Sequence, residues 1–158
     1  MDYQILPYTQ DRISDVLAFE MRLRQEENFW GWEIDDQYIQ AITDSFRNPL
    51  FSASLSFLAY AEGGVVGRID IVKIPSRFDG SIKAYLDWIC VLKSWRHRGV
   101  AQALLAKALR KLKADGIDTL IALTASNEEA QRFYKNIPNS LMRDVGIWIN
   151  IKHGDRMS

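Results

Sequence analysis

The chain has 158 residues, 47% of them hydrophobic, and its 20 basic and 20 acidic side chains cancel. That length suits one compact domain over 1–158 with a short polar tail from 152. The balanced charge argues against nucleic acid or an anionic membrane as the main partner. Cys90 is the single cysteine, so no intramolecular disulfide can form, and the two histidines, His97 and His153, have no ligand-like spacing, so no metal is expected.

The N-terminus lacks the basic start and apolar run of a signal peptide, and no window reaches the ~18 apolar residues of a membrane helix. A cytoplasmic location is therefore expected. Residues 2–6 read as a short strand ending at Pro7. Residues 11–27 read as a helix, with Ile13, Val16, Leu17, Phe19, Met21 and Leu23 forming a broad apolar face. Residues 28–34, with Phe29, Trp30, Gly31 and Trp32, fit no regular pattern. A second helix over 35–46 carries Tyr38, Ile39, Ile42 and Phe46 at helical spacing.

The period then changes. Residues 55–61 and 65–74 are strand-like and are separated by Gly63-Gly64, a pair suited to the positive φ angles of a tight hairpin. A loop over 75–80 leads to a third strand at 82–91. Residues 99–115 form a helix with Val100, Leu104, Leu105, Ala108, Leu109 and Leu112 on one face, and Gly116 as its stop. The short apolar strand 119–124 has the composition of one buried on both faces. Ser126 with Glu129 makes a capping box for a helix whose face holds Ala130, Phe133, Tyr134 and Ile137. A last strand covers 146–151. The order β-α-α-β-β-β-α-β-α-β predicts an α/β (α+β) fold with a central mixed sheet flanked by helices.

Between the strand ending at Val91 and the next helix lies Lys93-Ser94-Trp95, followed by Arg96-His97-Arg98-Gly99-Val100-Ala101. The first N–H groups of a helix lack intrahelical partners and sit at the positive end of its dipole. Gly99 and Ala101 let a phosphate approach, and Arg96 and Arg98 add charge, so a pyrophosphate is a natural guest. On bare physics an ordinary βα turn with surface arginines is an equal alternative. A dinucleotide fingerprint fits worse, because it needs three spaced glycines, and so does a P-loop, which needs Gly-Lys-Ser/Thr.

Arg-x-x-Gly-x-Ala at Arg96 to Ala101 resembles the Arg/Gln-x-x-Gly-x-Gly/Ala signature of GNAT N-acetyltransferases. Some thirty residues on, Asn127, Ala130, Phe133 and Tyr134 resemble that family's Asn-x-x-Ala-x-x-Phe-Tyr. The element order matches as well. Two positions depart from the pattern: Lys93 stands where the family usually has Pro, and Ile137-Pro138 where it usually has Gly-Phe.

The resemblance implies acetyl-CoA as co-substrate and direct transfer of its acetyl group to a primary amine through a tetrahedral oxyanion. Ile89, Cys90 and Val91 would hold the pantetheine arm like an added strand. Arg96, His97, Arg98, Gly99, Val100 and Ala101 would bind the pyrophosphate, and Asn127 would bond the pantetheine. Tyr134 would protonate the departing thiolate as general acid; otherwise it is a core aromatic. A lysine-like amine with pKa ~10.4 is only about 0.04% neutral at pH 7, a handicap of roughly 4.6 kcal/mol, so a carboxylate near the acceptor would help. Asp87, inside an apolar strand where an isolated carboxylate is expensive, is the candidate base and should have a partner; its alternative is a residue on the solvent side or at an edge of the strand. Trp30, Trp32 and Glu27 are candidates for the acceptor site, against the alternative of core tryptophans and solvated helix ends. A covalent acyl intermediate on Cys90 is disfavoured because no histidine adjoins it to activate it. The acceptor expected is a small-molecule amine: an amino sugar or aminoglycoside, a polyamine, or an exposed amino group. The alternative is a non-catalytic acyl-CoA-binding sensor of the same fold. The sequence admits a homodimer without requiring one.

Overall fold

The computed structural model describes residues 2–27, 33–142, 144, 146 and 147. The chain divides into two compact units, Met1–Ala122 and Leu123–Ser158. In the first unit the elements are β1 (Gln4–Pro7), α1 (Ile13–Glu26), α2 (Asp36–Ser45), β2 (Ser54–Ala61), β3 (Gly64–Pro75), β4 (Ile82–Val91), α3 (Val100–Ala114) and β5 (Leu120–Ala122). The second holds α4 (Glu128–Lys135). Of the strand expected at 146–151 only Gly146 and Ile147 are described, outside any element, and the rest lies outside the described residues, as do Trp30 and Trp32.

The strands lie in the order β1-β2-β3-β4-β5. Each of the first four is antiparallel to its neighbour and β5 joins β4 in parallel, which makes the sheet mixed as predicted. Parallel neighbours need a crossover connection, and α3 supplies it. The β2–β3 hairpin closes through a two-residue loop whose positive φ angles fall on Glu62 (51°) and Gly63 (79°), while Gly64 already pairs with Ala61. Two positive φ values are what a type I′ turn demands; the turn is thus one residue earlier than the Gly-Gly pair implied.

Helix spacing explains the core. On α1 the buried positions are Val16, Phe19, Glu20 and Leu23, the i, i+3, i+4, i+7 stripe, whereas Met21 is 55% exposed. The face expected from hydrophobicity was therefore too broad, and it passed over a buried acid. On α3 the same rule buries Val100, Leu104, Leu105, Ala108 and Leu112 and leaves Leu109 out. The helix stops at Gly116 (φ 77°), with Ile117 N–H donating to Leu112 C=O and Gly116 N–H to Lys113 C=O, a Schellman closure. Strand β5 departs from expectation: Ile121 is 49% exposed, because among the described residues β5 is the outermost strand of the sheet. The cap of α4 differs too, since the Asn127 side chain, not Ser126, accepts from Ala130 N–H at 2.9 Å.

Helix α3 lies against the sheet at Gly67, where a Cβ would stand 3.0 Å from Val100 Cγ1, 3.2 Å from Leu104 Cδ1 and 3.3 Å from Val91 Cγ2. A larger side chain there must push α3 off the sheet. Gly67→Val is expected to cost about 1–3 kcal/mol by overpacking, read as a lowered denaturation midpoint with unchanged m-value. A neutral result would mean that α3 does not pack tightly at its N-terminal turn.

Candidate active site

Strand β4 is irregular where the chemistry was expected. Asp70 pairs with Trp88 and Ile71 with Leu86, so Asp87 is an extra residue, a β-bulge. The bulge upsets strand alternation, and Asp87 and its neighbour Trp88 both line one cleft of about 730 Å³. Asp87 is exposed to that cleft, so the partner expected for a buried carboxylate is not needed. The parallel ladder with β5 covers only Ala84, Tyr85 and Leu86. Past the bulge, Ile89, Cys90 and Val91 pair with Ile69, Arg68 and Gly67 of β3 but, among the described residues, have no ladder partner on the β5 side. That open backbone edge is what an added, strand-like ligand arm requires.

The cleft wall is an ionic network of residues that the sequence reading did not single out. Arg68 reaches Asp70, with Nη2 donating to Oδ1 at 3.1 Å and Nε 2.6 Å from Oδ2, and reaches Glu20 Oε1 at 3.3 Å. Tyr38 hydroxyl lies 2.9 and 3.0 Å from the two Glu20 oxygens, and Ser56 hydroxyl donates to Asp70 at 2.6 Å. The guanidinium stands 4.9 Å from the Tyr8 ring centre and 5.5 Å from that of Trp88. Burial pushes the Glu20 carboxyl above its ordinary range, against the Tyr38 hydrogen bond and the Arg68 charge. Burial likewise pushes Tyr8 up to about 12, with Arg68 opposing, and its hydroxyl has no hydrogen-bond partner among the described residues. A signal for this network existed: Arg68 and Asp70 are charges two apart in an apolar strand, hence on one face, and Glu20 occupies the core stripe of α1.

The basic turn has the uncapped helix start that an anion cradle requires. Gly99 caps α3 in the left-handed region (φ 78°), no side chain among the described residues caps the helix, and Ala103 N–H is the first to bond back, to Gly99 C=O. The N–H groups of Val100, Ala101 and Gln102 are thus left for a ligand. A Cβ at Gly99 would find only Tyr3 Oη at 3.7 Å, so the approach is open. His97 also has positive φ (59°). Arg98 stacks 4.6 Å over the Trp95 ring. Arg96, expected at the phosphates, instead pairs with Glu27, and its Nε donates to Val91 C=O at 3.3 Å. Glu27, expected at the acceptor, is accordingly held beside the turn.

Cys90 is a poor nucleophile here. Burial raises its thiol to about 11, with the Arg96 charge working the other way and Glu27 reinforcing the rise. In the second unit, the Asn127 carbonyl oxygen caps α4, and its amide N–H groups take no part in the cap. Tyr134 lies in the last turn of α4, its ring 5.3 Å from that of Phe133 in an edge-on arrangement. Pro138 comes just after the end of the helix, and Ile137 N–H still donates to Tyr134 C=O at 3.2 Å. Among the described residues no group of three or more His, Cys, Asp or Glu could hold a metal ion, and no helix is long and apolar enough to cross a membrane.

The profile of the acetyltransferase (GNAT) family matches residues 8–137, and the chain belongs to that family. Its enzymes use acetyl-CoA, and the cradle's uncapped N–H groups, open Gly99 and unpaired β4 edge fit such a molecule. Among solved structures, an aminoglycoside acetyltransferase from an uncultured soil metagenomic sample, in complex with trehalose, superposes with a TM-score of 0.79 at 13% identity, covering 95% of this chain and 97% of that one. AAC(6')-Iy in complex with the bisubstrate analog CoA-S-monomethyl-acetylneamine gives 0.73 at 20% identity, covering 95% and 99%. The ribosomal-protein-alanine N-acetyltransferase of Brucella melitensis biovar Abortus 2308 gives 0.72 at 17%, also covering 95% and 99%. At these identities the likeness is one of fold. No curated protein matches the chain by sequence.

Two measurements probe the local chemistry. Because the folded pKa of Glu20 is raised, its contribution to stability is full below its ordinary value of 4.5 and is lost as pH rises through the folded value. The melting temperature of Glu20→Gln should therefore fall less than that of the wild type as pH rises from 4.5, and parallel curves would contradict a buried, strained carboxylate. Cys90 should react with a disulfide reagent at pH 7.5 at least ~10-fold more slowly in the native chain than in denaturant. Equal rates would mean an accessible thiol of ordinary pKa.

Proposed function

We propose that this chain is an acetyl-CoA-dependent N-acetyltransferase whose acceptor is a cationic primary amine on a small molecule, with 1–158 working as a single domain. The observation that carries this reading is the bulge at Asp87. One irregularity brings a carboxylate into an acidic, aromatic-lined cleft and leaves the adjoining Ile89, Cys90 and Val91 edge without a β5 partner among the described residues. When bound, acetyl-CoA supplies an activated acetyl group on sulfur.

Each of the chain's own residues then has a role. The backbone of Ile89, Cys90 and Val91 orients the pantetheine, and the cradle at His97, Arg98, Gly99, Val100 and Ala101 meets the pyrophosphate with N–H groups and charge. Asn127 offers amide N–H donors. Asp87 takes a proton from the ammonium, directly or through water, which makes its lone pair available. The Tyr134 hydroxyl gives a proton to the thiolate. Glu20, Asp70 and Asp87 outnumber Arg47 and Arg68 in the cleft by one charge, which favours a cation, and the rings of Trp88 and Tyr8 suit one. The aminoglycoside acetyltransferases among the structural neighbours support an amino sugar as the first acceptor to try, with polyamines second.

The decisive assay is release of free thiol from acetyl-CoA with a panel of aminoglycosides, amino sugars, polyamines and peptides. Turnover with at least one cationic amine is expected. Tyr134→Phe should bind coenzyme A normally yet lose about 10- to 100-fold or more in kcat. A loss under about threefold would remove Tyr134 from the acid role. Intact coenzyme A binding with no turnover on any amine would make the chain a binding module instead.

A further inference from the structure

The family motif leads one to count Arg96 among the phosphate ligands, but its guanidinium is already engaged. It pairs with Glu27, the C-cap residue of α1, and its Nε holds the Val91 carbonyl. Beside it, Glu26 accepts from Ser94 twice, from the backbone N–H at 3.1 Å and from the hydroxyl at 2.8 Å. Those Ser94 bonds hold the Glu26 carboxyl below its usual range even though partial burial works against them. Two consecutive acids at the C-terminal end of a helix face the wrong pole of its dipole, so they need donors from elsewhere. The segment 94–96 supplies both.

The turn immediately after that segment is strained. His97 and Gly99 both have positive φ, 59° and 78°, a conformation that a histidine adopts only at a cost. Such a turn persists only when fixed on both sides. Helix α3 fixes it after Gly99, and the Glu27–Arg96 and Glu26–Ser94 contacts fix it before His97.

We propose that Glu27 and Arg96 form a clamp that preorganises the anion cradle, making both of them positioning residues, with the phosphates met by the backbone N–H groups and Arg98. Because α1 also carries Glu20 into the acceptor cleft, the clamp ties that wall to the cofactor turn. This inference rests on the acetyltransferase reading only for the identity of the anion.

The test is a double-mutant cycle on Glu27→Gln, Arg96→Gln and the double variant, read by calorimetric titration with coenzyme A and by thermal melting. Each single variant should weaken coenzyme A by about 5- to 10-fold, and the double variant should be no weaker than the worse single, the non-additivity of a shared contact. In turnover, KM for acetyl-CoA should rise while KM for the amine stays within about twofold, a split that general loosening of the fold would not give. The clamp is overturned if Glu27→Gln binds coenzyme A as well as or better than the wild type while Arg96→Gln binds it worse, because Arg96 would then be a phosphate ligand competing with Glu27. Wild-type protein that fails to bind coenzyme A at all would count against the functional reading alone. The melting cycle then decides the clamp: non-additive losses support it, and additive losses refute it.

Discussion

The constraint on which the site depends is the incomplete pairing of β4. A strand in the middle of a sheet normally satisfies its backbone on both sides, and an unpaired buried N–H or C=O is costly. Here β4 is bonded to β3 on both sides of the bulge but to β5 only across Ala84, Tyr85 and Leu86. The bulge at Asp87 falls where the second ladder ends. Side chain and backbone thus divide the work within five consecutive residues. Asp87 and Trp88 line the cleft, and Ile89, Cys90 and Val91 have no ladder partner on the β5 side among the described residues, the edge to which the proposed function assigns a ligand arm. The Val91 carbonyl takes a bond from Arg96, so the open edge and the basic turn are joined by one side chain.

The network around Arg68 bears on the same design. Buried ion pairs are a weak source of stability, because desolvation offsets most of the Coulombic gain. The network is therefore better understood through what it presents. One guanidinium fixes Asp70 from its own strand and Glu20 from α1, and it lies over the rings of Tyr8 and Trp88. Four side chains of the cleft wall are set by a single planar cation whose rigid fork suits two carboxylates at once. The raised pKa of Glu20 is the mark of the remaining desolvation that these contacts do not fully offset.

The fold was largely legible because its elements keep their periods. The α3 stripe, its Gly116 stop and the hairpin pair can be read from apolar spacing and glycine positions alone. Misreadings arose where polarity and burial part company. Glu20 is charged yet buried, and Met21 is apolar yet exposed, because helix geometry and not hydrophobicity chooses the face. The cap of α4 shifted by one residue because Ser126 and Asn127 are both good caps, and only backbone conformation decides between them. Asp87 was legible as an acid in an apolar strand, but the bulge that aims it was not, since an inserted residue leaves no mark in a strand pattern. Glu27 and Arg96 were each singled out, for different sites; their pairing is a contact 69 residues apart in sequence that no local pattern could reveal.

A balanced total charge also hid more than it revealed. Equal numbers of acids and bases argued against a polyanionic partner, yet the charges are sorted within the first unit. Glu20, Asp70 and Asp87 outnumber Arg47 and Arg68 at the cleft, and Lys93, Arg96 and Arg98 outnumber Glu26 and Glu27 at the turn before α3. Under the proposed function, an anionic acyl carrier and a cationic amine would need opposite potentials at their two entrances, and a neutral sum is the natural result of supplying both. Glu27 sits at the boundary, an acid placed on the basic side. Pairing it with Arg96 lowers the net charge of the turn, so the cradle depends more on directed N–H groups than on free guanidinium charge. Directed donors fix where a diphosphate lies, while a diffuse charge only attracts it, and acyl transfer across a defined line requires the former.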